Sequence, residues 1–205
     1  MMHPYSVSIE SNERARVPII VAAVSVAIAT ILNYASVWPS RDLAIWLSAP
    51  SVFGVYGVLW IYLDRVAWRL RPVRLLLGIS TPIINGVWDG ELRSSLESYS
   101  KPFRARLTLH QRWTTLSVFL EGQDVYSHSL IGALRELDPT HIEFSYVYVS
   151  ERKPRNAIFS EFRHYGTCRL MLKIPATGRV EEMDGSYYTD LERHTYGTAK
   201  FSRPV

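Results

Sequence analysis

The chain has 205 residues, 47% of them hydrophobic, and carries a formal net charge of +4 from 23 Lys and Arg against 19 Asp and Glu. Residues 1–79 hold 7 of those basic and 4 of the acidic side chains, whereas residues 80–205 hold 16 and 15. This split excludes an evenly mixed globular chain, and it excludes a basic domain that coats a DNA or RNA polymer. The single cysteine, Cys168, excludes an intrachain disulfide and any metal site with several cysteine ligands.

Two uncharged apolar segments lie near the start of the chain, at residues 17–38 and 43–63. As a helix, each would reach about 30 Å, the thickness of the hydrocarbon core of a bilayer. Because only a short turn separates them, we predict a transmembrane hairpin of two helices over residues 17–63. A pair of buried helices in a soluble protein and a cleaved secretory signal are the alternatives, and the length of the uncharged runs disfavours both.

Basic side chains flank the predicted hairpin at its two outer ends. Residues 1–16, predicted to be a cytosolic tail, contain two arginines, and residues 64–80, predicted to be a basic linker at the membrane surface, contain four. The positive-inside rule therefore places both termini in the cytoplasm. We expect Pro72 to interrupt any helix in the linker.

Small and polar residues share one face of the first span at three- and four-residue spacing: Ala22, Ser25, Ala29 and Asn33. Such faces let helices approach closely in lipid, and an Asn amide can hydrogen-bond across the contact. The partner of this face is either the second span of the same chain or another copy, and the sequence leaves both open.

From residue 81 onward, apolar and polar residues alternate with period two, which is typical of β-strands. The pattern predicts eight strands, at residues 88–93, 103–110, 116–120, 125–131, 142–148, 167–174, 179–184 and 196–202. We therefore predict that residues 81–205 form a cytosolic all-β domain, an eight-stranded antiparallel up-and-down β-barrel, with an open sandwich as the alternative. A barrel of this size is either filled by side chains or holds one small ligand.

The sequence contains no motif that indicates catalysis or metal binding. The six histidines lack metal-ligand spacing, and Cys168 fits a core position. The sequence also lacks a Gly-rich phosphate loop, a G-x-S-x-G elbow and paired carboxylates. We expect a protein that is not an enzyme and that has no catalytic residues, no metal site and no cofactor.

Polar side chains occur where the alternation predicts the barrel interior, at Ser127, Ser129, Tyr146, Tyr187 and Thr189. Buried hydroxyls need partners, which are either one another or a ligand. With tyrosines and Trp88 to stack on bases and an arginine to bind phosphate, such a pocket suits a small nucleotide. Arg193 is the preferred arginine, ahead of Arg152 and Arg106.

Two short motifs carry a resemblance to a known family. Residues 86–92 follow the pattern G-x-W-x-G-x-L, and residues 185–189 follow G-x-Y-x-T, with Arg193 after them. Together with two apolar spans before a strand-rich domain, they resemble the two-transmembrane β-strand-rich effectors associated with bacterial CD-NTases in cyclic-oligonucleotide-based antiphage signalling (CBASS). Arg193 follows Thr189 at four residues, whereas the family's arginine follows its threonine at two.

The resemblance implies a multi-pass receptor in the bacterial inner membrane. Its cytosolic barrel would bind a cyclic di- or trinucleotide made by a partner CD-NTase. Binding would drive homo-oligomerisation of the transmembrane hairpin, disrupt the lipid bilayer and kill the infected cell. A membrane-tethered, lipocalin-like carrier of a lipid or apolar metabolite and an assembly scaffold with a filled barrel remain as alternatives.

Overall fold

The computed structural model describes residues 1–8, 12–35, 51–138, 140–152, 163–174, 180–191 and 193–204. The chain divides into a strand unit, formed by residues 1–10 and 81–205, and a helical unit, formed by residues 11–80. The division follows the sequence pattern, because period-two alternation is found only outside the apolar segments.

The described part of the strand unit contains nine strands: β1 (His3–Ser8), β2 (Gly86–Ser94), β3 (Pro102–Gln111), β4 (Thr115–Glu121), β5 (Val125–Asp138), β6 (His141–Arg152), β7 (Arg163–Lys173), β8 (Glu182–Thr189) and β9 (Tyr196–Ser202). From β2 to β9 each strand pairs antiparallel with the next, and β9 pairs with β2, so the sheet closes on itself. All eight predicted strands are present, although β8 lies a few residues later than the predicted 179–184.

The predicted total of eight strands was wrong, because the predicted N-terminal tail contains β1. Strands β4 and β5 pair directly only where residues 119–121 face residues 126–128. Beyond that point β1 lies between them, antiparallel to β4 and parallel to β5. The second half of β5 would otherwise present an unpaired edge. The ring of Tyr5 is buried, and its hydroxyl accepts a hydrogen bond from Gln111 Nε2 at 3.2 Å.

One end of the closed sheet is filled by apolar side chains that are fully buried, among them Leu107, Leu109, Leu116, Val118, Leu134, Phe144, Leu170, Leu172, Met183 and Phe201. They come from the inward-facing positions of seven different strands. Removal of their apolar surface from water is the main favourable contribution to folding of this unit.

The described part of the helical unit contains α1 (Glu13–Ala35), α2 (Val52–Arg65) and α3 (Arg71–Leu77), with a 3₁₀ turn at Ala67–Arg69 before α3. Among the described residues one helix is long and apolar enough to cross a membrane, over Glu13–Tyr34. The predicted turn of the hairpin, at residues 38–42, and the start of the second predicted span lie outside the described residues. The described part of that span forms α2.

The buried stripe of α1 partly coincides with the predicted face of small residues. Ser25 and Ala29 are buried, on the same stripe as Val17 and Val21, whereas Ala22 and Asn33 are exposed. The Ser25 hydroxyl donates to the carbonyl of Val21 at 2.6 Å, so it is satisfied within its own helix. The buried residues recur at every fourth position, so the buried stripe does not include Ala22 and Asn33, the first and last residues of the predicted face.

The expectation that Pro72 prevents a helix in the linker was wrong. Pro72 lies in the first turn of α3, where the missing N–H has no intrahelical acceptor to lose. The helix ends at Gly78, whose φ of 59° is in the left-handed region that glycine adopts easily.

The two ends of the helical unit are hydrogen-bonded to each other. The Glu13 carboxylate is only 2% exposed and accepts bonds from the Ser80 backbone N–H at 2.6 Å and from the Ser80 hydroxyl at 3.1 Å. Arg16 donates to the carbonyl of Gly78 at 2.9 Å. The start of α1 is therefore fixed to the segment that follows α3.

Candidate functional site

The other end of the closed sheet encloses a cavity of about 1120 Å³. Every strand from β2 to β9 contributes described residues to its wall. Small-molecule pockets measure about 300–1,000 Å³, so the cavity is large enough for a nucleotide-sized molecule. The sequence left open whether the strand domain is filled or holds a ligand, and the structure combines a filled end with a hollow one.

Three rows of inward-facing residues form the polar part of the wall. Strand pairing places them side by side: Tyr146, Cys168 and Tyr187 in the first row, Tyr148, Gly166 and Thr189 in the second, and Ser127, Ser150 and His164 in the third. The members of each row lie at the same height because they are paired directly across neighbouring strands, which keep one register. The cavity wall is therefore rich in hydroxyl groups.

Two glycines make room for tyrosine rings in this wall. A Cβ atom at Gly166 would overlap the ring of Tyr148, and a Cβ atom at Gly197 would overlap the ring of Tyr187. Each ring thus lies across the neighbouring strand instead of projecting to the centre of the cavity. This arrangement exposes ring surface to a ligand and leaves space for it.

Most of the wall hydroxyls already have partners on the protein. Tyr146 donates to the Cys168 sulfur, and Tyr187 hydrogen-bonds the Ser94 side chain. The Thr189 hydroxyl lies 3.0 Å from the hydroxyl of Thr195. These bonds satisfy buried polar groups and fix the side chains in place, so the wall is preorganised before any ligand arrives.

The polar wall is uncharged at neutral pH. Burial raises the pKa of the Cys168 thiol to about 12 and raises the pKa of Tyr146 well above its ordinary value. Burial likewise raises the pKa values of Tyr148 and Tyr187. All four groups therefore keep their protons, and the hydroxyls of Tyr148 and Tyr187 can donate hydrogen bonds to a ligand, whereas that of Tyr146 is already donated to Cys168.

Charged side chains lie around the same cavity, and among the described residues the basic ones outnumber the acidic ones. The basic side chains are Lys101, Arg104, Arg152 and Arg193, and the acidic ones are Glu97 and Asp124. An excess of positive charge beside a neutral, aromatic wall favours an anion that also carries aromatic rings.

The comparison with known families identifies such a ligand. The family model described as the Cap15 cyclic dinucleotide receptor domain matches residues 79–203. The chain belongs to the Cap15 family. No curated protein matches the chain. The match confirms the resemblance to a CBASS effector with a cyclic nucleotide sensor, and with it the expectation of a cyclic nucleotide ligand.

Five of the predicted ligand-binding residues lie together in this Cap15 receptor domain and line the cavity: Ser127, Tyr146, Tyr187, Thr189 and Arg193. Arg152 lines it as well. Arg106 does not, because it lies on the exposed face of β3 and forms an ion pair with Asp89 at 2.8 Å.

Trp88 lies at the filled end of the receptor domain, away from the predicted position against the ligand. It is fully buried, and its indole N–H donates to the carbonyl of Ile84 at 3.0 Å. The guanidinium carbon of Arg203 lies 4.3 Å from the centre of its ring. Trp88 does not line the cavity, and it belongs to the buried hydrophobic core of the strand unit.

Ser129 also lies outside the cavity lining. Its hydroxyl is 2.6 Å from Nε2 of His3 and accepts a hydrogen bond from the backbone N–H of Val118 at 2.9 Å. The side chain thus ties β1 to β4 and β5, close to the bulge in β5. Its buried hydroxyl serves the sheet itself.

Several cavity residues were not predicted, chiefly His164, Ser150 and Thr195. The signal for His164 was present, because it continues the inward-facing alternation of Cys168 toward the start of β7. Within the described residues no group of three or more His, Cys, Asp or Glu side chains is placed to hold a metal ion.

Proposed function

We propose that this protein is a membrane-anchored receptor for a cyclic dinucleotide, without enzymatic activity, and that it acts as the effector of a CBASS antiphage system. The observation that carries the proposal is the Cap15 match over a domain with a preorganised polar cavity. A partner CD-NTase would supply the nucleotide during phage infection.

The chemistry of the cavity supports a nucleotide over the apolar cargo of a carrier. Tyrosine rings offer stacking surfaces for two bases, and the neutral hydroxyls offer hydrogen-bond donors for base edges. Basic side chains such as Arg193 suit the two phosphodiesters. A lipid carrier needs an apolar lining, whereas four basic side chains and several hydroxyl groups line this cavity, and a charged group placed against a lipid tail costs free energy.

The place of β1 supports an even number of membrane crossings. Because β1 and β2 belong to one closed sheet, residues 8 and 86 lie on the same side of any membrane that the chain crosses. If α1 crosses once, the chain has to return before β2, and residues 43–63 are the second apolar segment available. The bond between Glu13 and Ser80, which joins the two ends of the helical unit, is consistent with this return.

The exposed side chains of the helices support contact with lipid. Ile19 and Ile31 on α1 are 69% and 65% exposed, and Phe53 and Val58 on α2 are 86% and 69% exposed. Large apolar side chains at such exposure are stable in hydrocarbon and unfavourable in water. Arg14 and Arg16 at the start of α1, together with Arg69, Arg71 and Arg74 after α2, favour an orientation with both termini in the cytoplasm and the turn outside the bacterial inner membrane.

Ligand binding would act by changing how copies associate. Proteins confined to a membrane meet at a raised effective concentration, so a modest gain in contact energy is sufficient to assemble them. The nucleotide only has to bind the assembled state more tightly than the resting state. Assembly of the membrane helices into an oligomer would then breach the bilayer and kill the infected cell.

Dye leakage from liposomes that contain the full-length protein tests this function. We expect one of cyclic di-AMP, cyclic di-GMP and cyclic GMP–AMP to bind and to cause leakage. Tyr187→Ala should abolish both effects while the variant remains folded. Tyr188→Ala is the matched control, because this neighbour faces outward and is 46% exposed. Absence of binding and of leakage with every nucleotide would overturn the proposal, and unfolding of Tyr187→Ala would favour the scaffold alternative.

Reporter fusions test the membrane topology. Alkaline phosphatase is active outside the cytoplasm, and green fluorescent protein is fluorescent inside it. We expect phosphatase activity for an insertion after residue 40 and fluorescence for a fusion after residue 205. A fluorescent fusion after residue 40 would contradict the hairpin.

A further inference from the structure

His164 and Arg193 meet in the wall of the cavity. His164 is the second residue of β7, faces inward and is 7% exposed. Arg193 belongs to the turn between β8 and β9, and its Nη1 lies 3.4 Å from Nδ1 of His164. Both residues line the cavity.

The chemistry of this contact fixes the state of the imidazole. A guanidinium has donors only, so Nδ1 of His164 has to be the acceptor and the ring carries its proton on Nε2. Burial, and then the positive charge of Arg193, lower the pKa of His164 to about 4, although Asp190 acts in the opposite direction. The ring is therefore neutral at physiological pH and able to accept.

The backbone of the turn is held from the other side. The Asp190 carbonyl accepts from the Arg193 N–H at 3.3 Å and from the His194 N–H at 2.9 Å. The Asp190 carboxylate accepts from the backbone N–H of Tyr165 at 2.8 Å, which attaches the turn to the start of β7. The guanidinium of Arg193 is thus brought to His164 by a turn anchored beside it.

We infer that His164 is a positioning residue for Arg193, and that it holds the guanidinium where it binds a phosphate of the cyclic dinucleotide. The inference rests on the proposed function and deepens it. Arg193 is a long side chain on a turn, and a long side chain that is not held loses conformational entropy when it binds. A neutral acceptor can hold the guanidinium without competing for its charge, whereas a carboxylate at the same place would neutralise it and repel the phosphate.

Two fixed points let the cavity use an arginine at this spacing. Arg193 comes four residues after Thr189, so the turn sets the position of its backbone and strand alternation does not. His164 supplies the second fixed point. The first is the turn itself, through Asp190.

Calorimetric titration of the full-length protein in detergent tests the inference, with the tightest binder among cyclic di-AMP, cyclic di-GMP and cyclic GMP–AMP as the probe. We expect His164→Ala to weaken binding about tenfold and Arg193→Ala to weaken it roughly tenfold to a hundredfold. His164→Asn should restore most of the affinity, because its Oδ1 can replace Nδ1 as the acceptor. A merely structural histidine would not show this rescue.

Two comparisons complete the experiment. In an Arg193→Ala background, His164→Ala should have no further effect, because the group that it holds is gone. His110→Ala and Arg169→Ala, which change exposed residues on the outer face, are the matched controls and should bind like the wild type. Unfolding temperatures check that each variant is folded.

The outcomes separate the inference from the function on which it rests. Wild-type binding with unchanged affinity in folded His164→Ala overturns the inference alone, and so does an equal loss in His164→Ala and His164→Asn. A wild-type chain that binds no nucleotide of the panel overturns the proposed function and the inference together.

Discussion

Replacement of Trp88 by Phe should destabilise the receptor domain and leave the ligand affinity of the folded protein unchanged. Trp88 is fully buried at the filled end of the closed sheet and does not line the cavity. Its N–H bonds the Ile84 carbonyl, and Arg203 lies over its face. Phe keeps an aromatic ring at this place but removes the donor and part of the ring surface.

Two losses set the expected magnitude. Ile84 is itself fully buried, so its carbonyl loses a hydrogen bond that water cannot replace, at a cost of about 1–3 kcal/mol. The smaller ring weakens the contact with Arg203, and cation–π contacts are worth about 0.5–2 kcal/mol. We therefore expect the free energy of unfolding to fall by about 2–4 kcal/mol, which lowers the unfolding temperature by about 10 °C.

Circular dichroism measures the unfolding temperature of the full-length protein, and calorimetry measures its affinity for the cyclic dinucleotide. Val87→Ala is the control, since this neighbour lies on the outer face and is 39% exposed. A tenfold loss of affinity in Trp88→Phe at an unchanged unfolding temperature would show that Trp88 contacts the ligand. That result would refute the assignment of the ligand to the opposite end of the sheet.

Three further perturbations test the fold and the cavity. Tyr5→Ala should cost about 3–5 kcal/mol in urea unfolding because it empties a buried ring site, whereas Tyr5→Phe should cost only about 1–2 kcal/mol; equal costs would contradict this. Gly166→Ala should lower both the ligand affinity and the unfolding temperature, because the added Cβ atom overlaps the ring of Tyr148. An unchanged affinity in calorimetry would be inconsistent with the cavity described. Hydrogen bonds from Thr140 lower the pKa of Asp138 to about 2, so its carboxylate contributes stability that is present above its ordinary pKa of 3.8 and is lost as pH falls through 2. Asp138→Asn should flatten the pH dependence of stability in that window alone.

The strand pattern could be predicted from the sequence because it is local. On β7, the buried residues Cys168, Leu170 and Leu172 alternate with exposed or half-buried neighbours, and this period of two is visible in the sequence. The same rule identified every strand from β2 to β9. It set the boundaries of β8 less well. Charged residues obscure the alternation at the start of this strand, and Tyr187 and Thr189 continue it beyond the predicted end.

Strand β1 could not be predicted from the local pattern, because the strands that stabilise it lie far away in the sequence. The segment His3–Ser8 alternates over only a few residues and precedes a predicted membrane helix, so it resembles a tail. What makes it a strand is the divergence of β4 and β5, more than a hundred residues away. Strand propensity describes how well a segment fits a partly buried surface, and here that surface exists only after the other strands have closed.

The misplacement of Trp88 has a different cause. Alternation determines whether a side chain faces inward, but it does not determine which end of a closed sheet the side chain occupies. Trp88 and Tyr187 both face inward, and strand pairing places one at the filled end and the other at the cavity. The prediction grouped them because it used only the first property.

The end of the sheet that a side chain occupies can nevertheless be predicted from the sequence, because polarity changes along each strand. In β2, β6 and β8 the inward-facing residues run from apolar to polar in chain order, as in Trp88 to Ser94, Ile142 to Ser150 and Met183 to Thr189. In β7, which runs the other way, they change from His164 to Leu172. Alternating gradients of this kind require one polar end and one apolar end in an antiparallel sheet. Their direction in the sequence assigns Trp88 to the core and His164 to the cavity, because a reversed assignment would bury the hydroxyls of three strands among leucines without partners.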